Sequence, residues 1–344
     1  MIYKGDALEY IKETPQILRN ILESQDQIMS DCINYLKNKD ISKIYLMGLG
    51  SSYYGAKAIY KFMENLLGVQ VIPVRPNELL ELQHYIDKDA VVFGISQQGT
   101  STGVITAMDV YKSLGYRVIA VTGEYDTEIT YHGDATLYIE CGYEDAGATT
   151  KGYTATVFTL ALLAIHIALS QHIISKEDKR LYDRTLYGLI DSMSGELEKT
   201  SDQCVDIAQK LAGSRDLIIV TGDEYKNVLD EIVLKFTETS RFPVRGFHTE
   251  DFMHGIYNAV NDDTDFLFLW DDSEYIRKIY DYYQEKGNRI FCLNKDSNGA
   301  KSIFKIILPL QQLIVMTSRI RGIDLNTPRD PDFHKIMGSK LEEN

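Results

Sequence analysis

The chain has 344 residues, with 36 Lys plus Arg against 50 Asp plus Glu, a formal charge of −14 and a pI near 5.0. At about 100–200 residues per domain this length fits two domains or one duplicated unit. The hydrophobic fraction of 44%, with 10% aromatic, excludes wholesale disorder. So acidic a chain does not hold nucleic acid or a membrane surface by charge, because counterion release needs clustered Lys and Arg; neither partner is expected.

Residues 7–40 read as helical, with Ile17, Leu18, Ile21 and Leu22, then Ile28, Met29, Ile33 and Leu36, recurring at three and four. Four short apolar, β-branched segments follow at 44–47, 90–95, 117–122 and 135–140. Each of the first three runs into a polar or glycine-containing turn and then a helical stretch, the grammar of a parallel sheet with crossover helices. Helices dominate from Tyr153 to about Leu211. The longest apolar run there, 157–169, falls short of the ~20 residues a membrane span needs and reads as a buried core helix. Strand-like segments return at 217–221, 265–270, 289–294 and 304–308.

The two halves also share residues. Ile59-Tyr60-Lys61-Phe62-Met63-Glu64 corresponds to Val233-Leu234-Lys235-Phe236-Thr237-Glu238, Pro73-Val74-Arg75 to Pro243-Val244-Arg245, and Gly115-Tyr116-Arg117-Val118 to Gly287-Asn288-Arg289-Ile290. The offsets of 174, 170 and 172 are nearly equal and in chain order. The expected architecture is α/β, with two doubly wound parallel-sheet domains in tandem. A helical lead (1–40) precedes the first domain (41–195) and the second (196–321), and an irregular tail (322–344) contributes to the active site. Cys32, Cys141, Cys204 and Cys292 have no close pairing, which suggests neither zinc ribbon nor disulfide framework and fits a reduced, cytoplasmic protein. The chain turns acidic at Asp6 without an export-signal pattern. The seven histidines include no i, i+4 pair, so no metal site is expected.

Ligands of open parallel sheets bind beyond the carboxyl ends of the strands. The first turn is Gly48-Leu49-Gly50-Ser51-Ser52-Tyr53-Tyr54-Gly55. A dinucleotide fingerprint would need glycine at Tyr53 and an acid about 20 residues on, whereas the second strand is followed by Arg75; NAD is not expected, nor any other cofactor. The second turn, Ser96-Gln97-Gln98-Gly99-Thr100-Ser101-Thr102, gathers hydrogen-bonding side chains around one glycine at a helix start, a compact setting for a phosphate dianion. A single such turn also serves as ordinary helix capping. A third loop, 142–152, leads into the buried helix and can wrap a ligand or simply connect.

Together these turns resemble the sugar isomerase (SIS) domain family, which includes the isomerase half of glutamine–fructose-6-phosphate aminotransferase and related phosphosugar deaminases and deglycases. The family's Gly-Thr-Ser, Ser-Gln-Ser-Gly-Glu-Thr and Ala-Ser-Thr-Lys motifs fall on Gly50-Ser51-Ser52, Ser96-Gln97-Gln98-Gly99-Thr100-Ser101 and Ala148-Thr149-Thr150-Lys151. Its Lys-x-x-Glu helix falls on Lys235 and Glu238, and its Leu-Lys-His-Gly segment on Phe252-Met253-His254-Gly255. The resemblance covers about residues 40 to 335. It implies that Ser96, Gln97 and Ser101, with Gln98 in place of the family's second serine, hold a sugar phosphate near Ser51 and Ser52. Thr149 would bind sugar hydroxyls, and Glu238 would move a proton between C1 and C2. His254 would open the sugar ring from across a homodimer interface, and a C-terminal lysine would form a Schiff base, Lys335 first and Lys340 in reserve.

Proton transfer between adjacent carbons needs one carboxylate facing both and a cation nearby. Lys235 and Glu238 share a helix face at i, i+3, although a solvated surface ion pair has the same spacing. Acidic Glu250 and Asp251 beside His254 favour its charged form. The family's acid is Thr100 here, and its Pro-Arg-Asn-Leu-Ala-Lys becomes Pro328-Arg329-Asp330-Pro331-Asp332-Phe333-His334-Lys335, two residues longer. With Ile2 at position 2 and the first sheet beginning near Ile44, no glutamine-hydrolysing domain is expected ahead of it. The leading reading is amine release from an amino sugar or fructosamine 6-phosphate. Plain aldose–ketose isomerisation and a non-catalytic phosphosugar sensor are the alternatives.

Overall fold

The computed structural model describes residues 4–82, 85–293, 295 and 302–341; His84, Asn294 and the side chain of His334 lie outside that description. The helical lead is two helices, α1 (Ala7–Glu23) and α2 (Gln25–Leu36), parted at Ser24. Asp6 caps the first by accepting from the Leu8 amide at 2.8 Å. The first sheet then unfolds as β1 (Lys43–Gly48), α3 (Ser51–Leu67), β2 (Gln70–Val74), α4 (Pro76–Glu81), β3 (Ala90–Ile95), α5 (Thr102–Ser113), β4 (Arg117–Thr122) and β5 (Ala135–Tyr138). Two long helices follow, α6 (Lys151–Ser170) and α7 (Lys176–Leu211). The second sheet is built from β6 (Leu217–Thr221), α8 (Leu229–Ser240), β7 (Val244–His248), α9 (Thr249–Met253), β8 (Asp265–Leu269), α10 (Glu274–Glu285) and β9 (Ile290–Leu293). The chain closes with α11 (Ile303–Ile320) and α12 (Phe333–Met337).

Both sheets are parallel, in the orders β2-β1-β3-β4-β5 and β7-β6-β8-β9. The second order repeats the first four places of the first, and α3 and α8 each follow the opening strand of their sheet, as the shared Lys-Phe-x-Glu motif implies. In β3 and β6 every residue is buried, which is why they read as unbroken apolar runs rather than alternating ones.

One segment differs from the sequence reading. Residues 304–308 open the helix α11 instead of forming a strand. A five-residue segment with four apolar residues does not distinguish strand from buried helix, and Pro309 directly after it imitates a strand end although it sits inside the helix. In the second sheet the strand that repeats β2 is β7, carrying the Pro243-Val244-Arg245 copy. The apolar helix α6 is wrapped by α1, α2 and α3, and Gln311 of α11 donates to the Thr150 carbonyl at its N-terminus at 2.9 Å. Both α6 and α11 have the length and composition of membrane spans, yet 94% and 72% of their apolar windows are buried inside the fold.

Candidate functional site

The order β2-β1-β3 places the reversal of the first sheet between β1 and β3, so the turns after these strands flank the crevice. In the second of them Gly99 adopts φ +68°, open to glycine but strained for other residues, and its amide closes the turn on the Ser96 carbonyl at 2.9 Å. Ser96, buried, donates from Oγ to Ser101 Oγ at 3.0 Å and accepts from the Ser101 amide at 3.3 Å. Gln97 turns inward: its Nε2 faces Cys141 Sγ at 2.9 Å and its Oε1 accepts from Thr156 at 3.1 Å. Burial pushes that thiol up to about 11. Gln98 points the other way and accepts from Lys340 Nζ at 2.8 Å.

A cavity of about 1280 Å³ opens beside this turn. Gln98, Thr100, Glu238, Lys335 and Lys340 all line it, together with Gly147 and Ala148 of the third loop. That loop is held in shape by Glu144, whose carboxylate accepts from the amides of Thr150 (2.7 Å), Lys151 (3.1 Å) and Gly152 (2.8 Å), neutralising the start of α6. The Gly147 amide reaches Asn326 Oδ1 at 3.2 Å, tying the loop to the segment after α11.

On α8, buried Lys235 donates to Glu238 Oε1 at 2.7 Å. Burial works to lower its pKa, but the carboxylates of Glu238 and Glu231 outweigh it and hold the ammonium up at about 12. The pair is therefore no solvated surface bridge: one partner is buried, and Glu238 keeps its exposure toward the cavity. The residue that sequence reasoning passed over is Glu231, one turn before Lys235. It is 1% exposed, 3.9 Å from Lys235 Nζ, and accepts from Ser51 Oγ at 3.0 Å, while its Oε2 has no hydrogen-bond partner. Burial pushes its carboxyl up to about 8 against the pull of Lys235. Its i, i+4 spacing from Lys235 was the available signal.

The sequence-derived residues therefore divide. Gln98, Glu238 and Lys335 line the cavity and Lys235 backs it through Glu238, whereas Ser51 engages Glu231 and Gln97 engages Cys141 and Thr156. Ser96 and Ser101 form the frame of the turn. Ser52 and Thr149 are partly buried and His254 is exposed, and none of the three is among the cavity-lining residues. His254 Nδ1 lies 2.6 Å from the Glu250 carbonyl at the end of α9. At the corresponding reversal of the second sheet the turns carry Asp223, Glu224, Asp271 and Asp272, and the Asp271 carboxylate occupies the space over Gly222. Those turns are acidic where the corresponding turns of the first sheet carry hydroxyls and amides.

Residues 36–166, which hold the first doubly wound sheet and its hydroxyl-rich turns, match the SIS domain model. Beyond that segment the whole chain is similar to particular proteins. Glutamine–fructose-6-phosphate aminotransferase of Clostridium tetani is 25% identical over 95% of this chain, which spans 58% of that relative's length. A "putative phosphosugar isomerase" of Clostridium difficile 630 shares 27% identity and superposes with a TM-score of 0.88 over 99% of this chain and all of its own. Glucosamine-6-phosphate deaminase of Thermotoga maritima, at 21% identity and a TM-score of 0.70 over 94% of this chain and 98% of its own, shares the fold.

Proposed function

We propose that the chain is an enzyme acting at C1–C2 of a hexose 6-phosphate derivative, releasing the amine from an amino sugar or fructosamine 6-phosphate. The observation that carries this reading is the Lys235–Glu238 pair, one partner buried, opening on the same cavity as Gln98 and Thr100 of the phosphate-type turn. Glu238 takes the proton from one of the two carbons, leaving an enediol-type or enolamine double bond between them, and returns it to the other. The resulting C=N bond is hydrolysed by water, whose oxygen becomes the carbonyl oxygen and whose two protons go to the departing amine. Lys235 moderates the charge that builds on Glu238 and on the substrate oxygen as the proton moves.

In the same reading the Ser96–Ser101 turn holds the phosphate, with Ser51 and Ser52 in support, and Thr149 contacts sugar hydroxyls. Lys335 approaches C2. His254, which lies outside the lining of the cavity in its own copy, serves the site of a second copy in a homodimer. Incubating the protein with glucosamine 6-phosphate, fructosamine 6-phosphates and ketose 6-phosphates, while following amine release and sugar interconversion, tests the proposal. Binding of these sugars without turnover of any would sink it in favour of a sensor. Glu238→Gln should retain phosphosugar binding and lose about 10²–10⁴ in rate.

A further inference from the structure

We propose that Lys340 holds the phosphate of the bound sugar, so that the tail carries a phosphate-reading side chain as well as a segment of wall. This rests on the phosphosugar reading above. Neither the turn 96–102 nor the turn 48–55 contains a basic residue. Two cations of the neighbouring elements are engaged elsewhere, Lys57 with Asp230 and Arg75 with Glu78 and the Tyr53 ring. Lys4, Arg241, Arg329 and Lys335 line the cavity, but the turn that would hold the dianion needs a cation of its own.

The tail brings one. Lys340 forms an antiparallel bridge with Ser101, the Leu341 amide donates to the Thr100 carbonyl at 2.9 Å, and Thr102 Oγ1 donates to the Gly338 carbonyl at 2.9 Å. Contacts from three successive residues of the turn, one of them through the Thr102 side chain, thus fix where the Lys340 side chain emerges. Its ammonium lies 2.8 Å from Gln98 Oε1, and both residues line the cavity that Glu238 faces. An ammonium has three donors, so it can keep an amide acceptor and still serve a phosphate oxygen with a shorter, charge-assisted bond.

The two departures of this turn from the SIS pattern coincide with the point where the lysine arrives. Gln98 stands where the family has serine and is long enough to reach Lys340; Thr100 stands where the family has an acid and is the residue that bonds the tail strand. An acid at position 100 would compete with the ligand for the ammonium, and threonine at that position removes this competitor. Lys340 is then a specificity residue for phosphate, distinct from a Schiff-base lysine.

Calorimetric titration of glucosamine 6-phosphate, glucosamine and inorganic phosphate into the unaltered protein, Lys340→Met and Lys340→Arg tests this. Lys340→Met should weaken both phosphate-bearing ligands about 10-fold to 100-fold, the worth of one charge-assisted bond, and leave glucosamine unchanged; Lys340→Arg should retain most of the affinity. Unchanged phosphate affinity in Lys340→Met, or equal weakening of glucosamine and its phosphate, overturns the assignment, the second result assigning the lysine to tail packing. Inorganic phosphate separates the two levels: if it binds and depends on Lys340 while no sugar phosphate binds, the phosphate role stands and the proposed enzyme function fails.

Discussion

Replacing Glu231 by Gln puts a number on the buried carboxyl beneath the site. Lys235 already has a carboxylate partner at 2.7 Å in Glu238, so an ionised Glu231 would add an unmatched negative charge at a position only 1% exposed. Its folded-state pKa of about 8, against an ordinary 4.5, means that between those values the folded chain keeps a proton that the unfolded chain has released. Stability therefore falls as pH rises through this window. Between pH 6 and pH 8 the loss from this group is about 2 kcal/mol, at 1.36 kcal/mol per unit of pH with flattening near the folded pKa. Gln mimics the protonated acid and can accept from Ser51 as Glu231 does. The stability advantage of Glu231→Gln over the unaltered protein should therefore grow by roughly 2 kcal/mol between pH 6 and pH 8, read from parallel chemical denaturation curves. A variant that is less stable by the same amount at both pH values, or increasingly so at pH 8, would show that Glu231 is ionised and paired with Lys235, and would refute the reasoning.

The remaining expectations concern other parts of the fold. A Cβ at Gly147 would run into the Leu325 carbonyl, so Gly147→Ala should prise the third loop from the segment after α11, cost about 1–3 kcal/mol and weaken phosphosugar binding; a thermal midpoint and a titration check both. His166 is held below its ordinary 6.5 by burial and then by Lys179, and it lies 3.0 Å from Gln25 Oε1. A depressed folded pKa makes stability drain away as pH falls below 6.5, so the advantage of the unaltered protein over His166→Gln should shrink between pH 7.5 and pH 5, measured by denaturation at each pH.

Most of the frame was legible because its signals are local. The unbroken apolar runs of β1, β3 and β4, each followed by a polar or glycine-bearing turn, announce buried parallel strands, and Lys-Phe-x-Glu in α3 and α8 announces the repeat. What sequence could not supply is the direction in which a side chain points. Gln97 and Gln98 are neighbours in one turn, yet one binds Cys141 in the interior and the other meets Lys340 on the cavity wall. Ser51 belongs to the first turn but bonds a glutamate 180 positions away. Glu231 went unread because an acid in an amphipathic helix usually faces water, and only the packing of α3 against α8 buries it. Residues 304–308 were misread because their apolar pattern is too short to reveal a period.

The grip of Gln311 on the start of α6 has a consequence for biosynthesis. Ser170 ends α6 and Ile303 begins α11, so 132 residues separate a buried apolar helix from the second-half helix that holds its N-terminus. At about 5–20 residues per second, a ribosome needs roughly 7–27 s to make that stretch. For this interval α6 has its first-half neighbours but not the bond at its N-terminus, and the cavity, whose walls come from residues near 98, 147, 238 and 335, does not yet exist. The yield of active protein should accordingly depend on translation speed across that stretch.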